Sequence, residues 1–170
     1  MSRTIIVAPL ARAGEMAARY HCRHMLSLMA NGHDFAKPGI VESHHTLRMN
    51  DIAFAGTGKL VGPGAQHVSE LMEFARRWAF DGPLLVHCWL GVSRSPAAAL
   101  LVALALLPGL SDAALAGRLR SAAPFATPNR RLIALGDEAL GREGRLIEAV
   151  AEIGRGAECA TGLPFVLDLS

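Results

Sequence analysis

Apolar residues fall in two rhythms along this chain. Short aliphatic runs come early, at Thr4–Ala8, His24–Met29, Thr46–Met49 and Leu84–His87, and each reads as a strand. Longer stretches carry helical spacing. Arg12–Tyr20 predicts one helix, and Val68, Leu71, Met72, Ala75 and Trp78 share one face of another over Ala65–Trp78. Ser95–Leu107 is nearly all apolar and predicts a helix buried on every side. Asn31–Gly39 and Asp51–Gly64 are rich in glycine and proline and predict loops. Beyond Leu107 the pattern reads as helix throughout. Ser111-Asp112 caps one helix, Thr127-Pro128 opens a second, and Arg142–Ile153 forms the last. Early strands, helices on both sides and a helical C-terminal half predict an α/β fold around a mostly parallel central sheet. Ligands in such sheets bind at the carboxyl ends of strands.

Composition narrows this picture. With 170 residues, 51% of them hydrophobic, and no internal linker, residues 1–170 are expected to form a single domain. A formal net charge of +2 argues against a nucleic-acid-binding surface. The longest greasy run, Pro96–Leu107, is too short to span a bilayer, and Met1–Leu10 lacks a leader-like apolar core. Three cysteines, Cys22, Cys88 and Cys159, are too few and too spread for a disulfide framework. A cytoplasmic location is the expectation.

The chemistry concentrates at Pro83–Pro96, PLLVHCWLGVSRSP. A strand ends in His87-Cys88, a tight loop follows, and Arg94-Ser95-Pro96 opens the apolar helix. A helix N-terminus presents unpaired N–H groups and positive partial charge, so it attracts anions. A cysteine held there is favoured as the nucleophilic thiolate. The loop Trp89, Leu90, Gly91, Val92, Ser93 and Arg94 can curl its N–H groups onto one tetrahedral anion. Gly91 supplies the turn, and Arg94 adds a bidentate fork.

This segment resembles the H-C-x5-R-S/T signature of the cysteine-based protein-tyrosine phosphatases. His87, Cys88, Gly91, Arg94 and Ser95 match. The C-x-x-G-x-S-R-S run is most similar to the dual-specificity branch, as a small bacterial-type domain. Leu90 and Pro96 depart from the commonest residues of that signature, and Trp89 is bulky. The resemblance implies a metal-independent, cofactor-free phosphate-monoester hydrolase working through a phosphocysteine. It makes Cys88 the nucleophile, Arg94 the phosphate clamp, Ser95 a donor to the departing sulfur and His87 a support for the thiolate. Phosphorylated proteins, or small phosphate monoesters, would be the substrates.

Such a reaction needs a proton donor for the leaving oxygen. Asp81 precedes the Leu84–His87 strand and so lies more than about 12 Å away, at the other sheet end. Asp112 is a helix length distant, about 20 Å. Asp51 directly follows the Thr46–Met49 strand and opens a glycine-rich loop. Asp34 also follows a strand and is the second candidate. The resemblance likewise points to an upstream aspartate, hence to Asp51. Asn129 matches a Pro-Asn element of some dual-specificity phosphatases, though a helix-start role explains it as well. Gly56-Thr57-Gly58-Lys59 fails as a nucleotide loop, since Ala53 stands at its distal glycine and Leu60 after the lysine. His21, Cys22 and His24 fit no standard zinc spacing, so no metal is expected. The rival functions are a phosphoinositide phosphatase, a non-catalytic phosphate-binding module and a rhodanese-like thiol enzyme.

Overall fold

A computed structural model describes residues 3–170. Five strands form one sheet in the order β3-β2-β4-β1-β5. They are β1 (Thr4–Pro9), β2 (His24–Met29), β3 (Ser43–Arg48), β4 (Leu84–Cys88) and β5 (Phe165–Asp168). The first four run parallel, and β5 lies antiparallel to β1 at the edge. Six helices accompany them: α1 (Leu10–Tyr20), α2 (Ala65–Trp78), α3 (Arg94–Leu106), α4 (Asp112–Ala122), α5 (Arg130–Ala139) and α6 (Arg145–Ile153).

Alternation along the strands feeds two cores. Ile6 and Ala8 of β1, Met25 and Leu85 face α1, which lays Ala13, Met16 and Ala17 on them. Ile5, Val7, Leu26, Leu28 and Val86 face the other way, toward α2 and α3. Ala97–Leu104 of α3 are fully buried or nearly so, because α2, α4 and α5 cover its outer side. Among the described residues no helix is long and apolar enough to cross a membrane.

Several boundaries differ from the sequence reading. The cap of α5 is Asn129, whose Oδ1 accepts from Leu132 N, rather than Thr127. The last helix begins at Arg145, not Arg142. Arg142 is instead buried against Asp112 and the Pro108 and Leu110 carbonyls, and Asp137 accepts from the N–H groups of Gly144, Leu146 and Ile147. The C-terminal half is not wholly helical: Phe165–Asp168 adds β5, paired with Thr4–Val7.

The sheet order positions the site. From β1 the chain leaves through α1 on one face, toward β2. From β4 it leaves through α3 on the other. Pro9 and Cys88 stand in register at the carboxyl ends of these two neighbours. This divergence opens a crevice of the kind ligands occupy in open α/β sheets.

Candidate active site

Cys88 ends the central strand β4, and α3 starts at Arg94. The intervening loop is seated tightly. Gly91 adopts φ 71°, and a Cβ there would come within 2.7 Å of Pro9 N and 2.9 Å of Ala8 C. Only glycine satisfies both demands.

The loop carbonyls are pinned outward by neighbouring elements. Leu10 N donates to Trp89 O at 3.2 Å, and Gly162 N to Leu90 O at 2.8 Å. Thr127 N donates to Val92 O at 2.8 Å, and Asn129 N to Ser93 O at 3.1 Å. A trans peptide points its N–H opposite its C=O. Pinning these carbonyls therefore turns the N–H groups of Leu90, Gly91, Ser93 and Arg94 toward the loop interior. Gly91 N–H reaches Cys88 Sγ at 3.3 Å, which fixes that direction. The result is a concave nest of donors above the sulfur.

Cys88 Sγ lies 3.1 Å from Ser95 Oγ, itself buried in the first turn of α3. The thiol is 2% exposed and lines a cavity of about 310 Å³ together with Arg94, Asp51 and His33. Trp89 and Leu90, both substantially exposed, form part of the same lining. Arg94 is 7% exposed, and its Nη1 donates to Met49 O at 2.8 Å. Its Nε–H is buried with no hydrogen-bond partner among the described residues. A buried donor left open in a cavity is costly unless an acceptor enters. The arrangement suits an oxyanion.

Asp51 is brought to this cavity from the loop after β3. Its Oδ1 accepts from Ser93 Oγ at 2.7 Å and from Asn129 Nδ2 at 2.8 Å. Ser93, the N-cap of α3, thus spends its hydroxyl on Asp51 and leaves the helix end uncapped by a side chain. Asp34 lies on an exposed loop outside the cavity lining, and its neighbour His33 reaches the cavity instead. Asp81 binds Arg23 and His24, and Asp112 binds Arg142, so both are occupied elsewhere.

His87 is fully buried. Burial pushes its imidazole down to about 4, so the ring is neutral. Its Nδ1 lies 3.4 Å from Cys88 O, and its Nε2 lies 2.6 Å from Ser27 Oγ. Cys22 is buried with the α1 face, where desolvation raises its thiol to about 11. Cys159 is exposed and lines the same cavity as Cys88.

Sequence reasoning did not assign Asn129 the task of holding Asp51, nor place His33 and Cys159 at the cavity. The Pro-Asn match was the one signal for Asn129. Nothing local marked the other two.

No protein-family model matches the chain, and no curated protein sequence does. Solved structures do share its fold. DUSP15 aligns with a TM-score of 0.64 at 16% identity, covering 88% of this chain and 89% of that one. Human DUSP28 aligns at 0.57 and 23% identity, over 82% of this chain and 89% of that one. The Yvh1 phosphatase domain of Chaetomium thermophilum aligns at 0.60 and 18% identity, over 84% and 93% respectively. The chain therefore has a dual-specificity-phosphatase-like fold.

Proposed function

We propose that this chain hydrolyses phosphate monoesters through a phosphocysteine, acting on phosphorylated protein side chains with phosphotyrosine foremost. One observation carries the reading: a buried thiol, a nest of N–H groups, an open Arg94 Nε–H and a carboxylate share a single cavity. The fold neighbours, which are phosphatases, support it.

In the first step Cys88 thiolate attacks phosphorus, the P–O ester bond breaks, and Asp51 gives its proton to the leaving oxygen. Loop N–H groups and Arg94 stabilise the equatorial oxygens, where fixed donors act most strongly. In the second step water attacks phosphorus while Asp51 carboxylate takes its proton. The S–P bond breaks, phosphate is released, and Ser95 Oγ–H donates to the returning thiolate. The scheme needs no metal or cofactor.

The test is vanadate-sensitive hydrolysis of an aryl phosphate, run beside thiosulfate:cyanide transfer. Cys88→Ser is expected to abolish hydrolysis and retain phosphate binding, because serine is not ionised at neutral pH. Arg94→Ala is expected to weaken both binding and turnover. Hydrolysis near wild-type level in Cys88→Ser, with contaminating phosphatase excluded, would overturn the mechanism.

A further inference from the structure

Three polar side chains stand in line behind the nucleophile. His44 Nε2 lies 2.8 Å from Ser27 Oγ, and Ser27 Oγ lies 2.6 Å from His87 Nε2. His87 Nδ1 then faces Cys88 O at 3.4 Å. Ser27 and His87 are fully buried, on the adjacent strands β2 and β4 where they stand in register. Phe35 sets its ring edge-on to both imidazoles, with centroids 5.8 Å from His44 and 5.2 Å from His87.

The chemistry of the far end fixes the sense of this chain. A carbonyl oxygen only accepts, so His87 Nδ1 carries the proton and donates to Cys88 O. In a neutral ring Nε2 is then bare and accepts from the Ser27 hydroxyl. That hydroxyl has spent its one hydrogen, so it accepts in turn from His44 Nε2–H. The opposite order would set a bare Nδ1 against the Cys88 carbonyl, lone pair to lone pair. Both rings are held neutral. Burial lowers His87 to about 4, and burial lowers His44 too, aided by Lys37, His45 and Arg48 around it. Thr46 Oγ1, 3.3 Å from His44 Nε2, is the other polar atom at that end.

We infer that Ser27 and His44 are positioning residues of this active site: they fix the tautomer of His87, and His87 thereby holds the Cys88 carbonyl and aims the loop. The inference rests on the thiol chemistry proposed above. Cys88 O is reached by the buried His87 ring, whereas the Trp89, Val92 and Ser93 carbonyls are pinned by backbone N–H groups and Leu90 O by Gly162 N, with Thr161 Oγ1 at 3.5 Å. Holding Cys88 O turns the Trp89 N–H of the same planar peptide away from His87. Without Ser27 the His87 tautomer rests on the long 3.4 Å contact with Cys88 O alone, and Nε2 is left buried with no donor to hold it bare. Hydrogen bonds in such buried chains strengthen one another, so the remote donor matters.

The experiment compares wild type with Ser27→Ala, His44→Leu and His44→Gln, whose amide can replace the lost N–H donor. Two readouts are used: the nitrogen-15 spectrum of His87, and the alkylation rate of Cys88 by iodoacetamide at neutral pH, followed by peptide mass spectrometry. Wild type is expected to show a protonated Nδ1 and a bare Nε2. Ser27→Ala and His44→Leu are expected to mix the tautomers and slow alkylation about tenfold, the factor that one pH unit of ionisation represents. His44→Gln is expected to restore both. A wild-type ring protonated at Nε2, or a His44→Gln variant as impaired as His44→Leu, would overturn the inference. So would unchanged spectra and rates in Ser27→Ala and His44→Leu. A wild-type chain with the expected spectrum and variant response that hydrolyses no aryl phosphate would sink the proposed activity alone.

Discussion

Asp51 commits one carboxylate oxygen to structure and leaves the other free of Ser93 and Asn129. Oδ1 is taken by Ser93 and Asn129, so in the proposed mechanism Oδ2 is the oxygen left to carry and deliver a proton. Asp51→Asn is expected to cut turnover of an ester with a poor leaving group by about 10²–10⁴-fold. An ester that departs without protonation is expected to suffer far less, and equal losses on both would remove Asp51 from the acid role. His87 makes a separate prediction about stability. Its ring is neutral in the fold down to about pH 4, whereas an unfolded histidine protonates near 6.5. The unfolded state therefore binds the extra proton between those values. Stability is full above pH 6.5, falls as pH drops through the window, and stops falling from this cause below about 4. The loss is on the order of 3 kcal/mol, with His44 adding a slope of the same sign. Urea midpoints at pH 7 and pH 4.5 are expected to differ less in His87→Gln than in wild type. At this scale the convergence of Cys88, Arg94 and Asp51 on one cavity was legible, because Cys88 ends β4, Arg94 opens α3 and Asp51 follows β3 at the same sheet edge. Ser27 and His44 were not, because a polar residue inside a strand looks the same whether it faces solvent or a buried partner.

Helix α5 shows how an element end can serve two masters. The Asn129 side chain caps the helix with its oxygen and holds Asp51 and Ile52 with its nitrogen. Asn129→Asp keeps the acceptor and loses the donor, and it sets a second carboxylate beside Asp51. Its melting temperature is expected to stay near wild type or fall slightly while turnover drops. Asn129→Ala is expected to lose about 1 kcal/mol of stability as well. If both variants keep full turnover, Asn129 is a cap and nothing more. The periodicity gave α2 its observed ends and set α1 and α3 within two residues of theirs, since each buries a continuous face. It could not give β5. Four residues near the end of the chain carry no readable period, and their partner is Thr4–Val7 at the other end of the sequence. Pairings that distant leave no local pattern. The start of α6 was misread for the same reason, because Arg142 answers to Asp112, thirty residues earlier.

Viewed whole, the cavity is assembled from segments spread over nearly the full chain. Leu10 after β1, Met49 and Asp51 after β3, the Cys88–Arg94 loop and Asn129 before α5 all converge. The last contributor is the stretch between α6 and β5. There Gly162 N holds Leu90 O, Gly156 N takes Thr127 Oγ1, and Cys159 lines the wall. Gly162 has no room for a side chain, since a Cβ would lie 2.8 Å from the Phe125 ring and 2.9 Å from Leu90 O. This has a consequence for how the protein is made. A ribosome adds about 5–20 residues each second, and early segments begin to fold while later ones are unsynthesised. Cys88, Arg94 and Asp51 emerge well before the stretch that braces their loop. Until residues 154–168 clear the exit tunnel, Leu90 O lacks its Gly162 partner and the cavity lacks its Cys159 wall, so a nascent chain carries Cys88 in a loop braced on one side only.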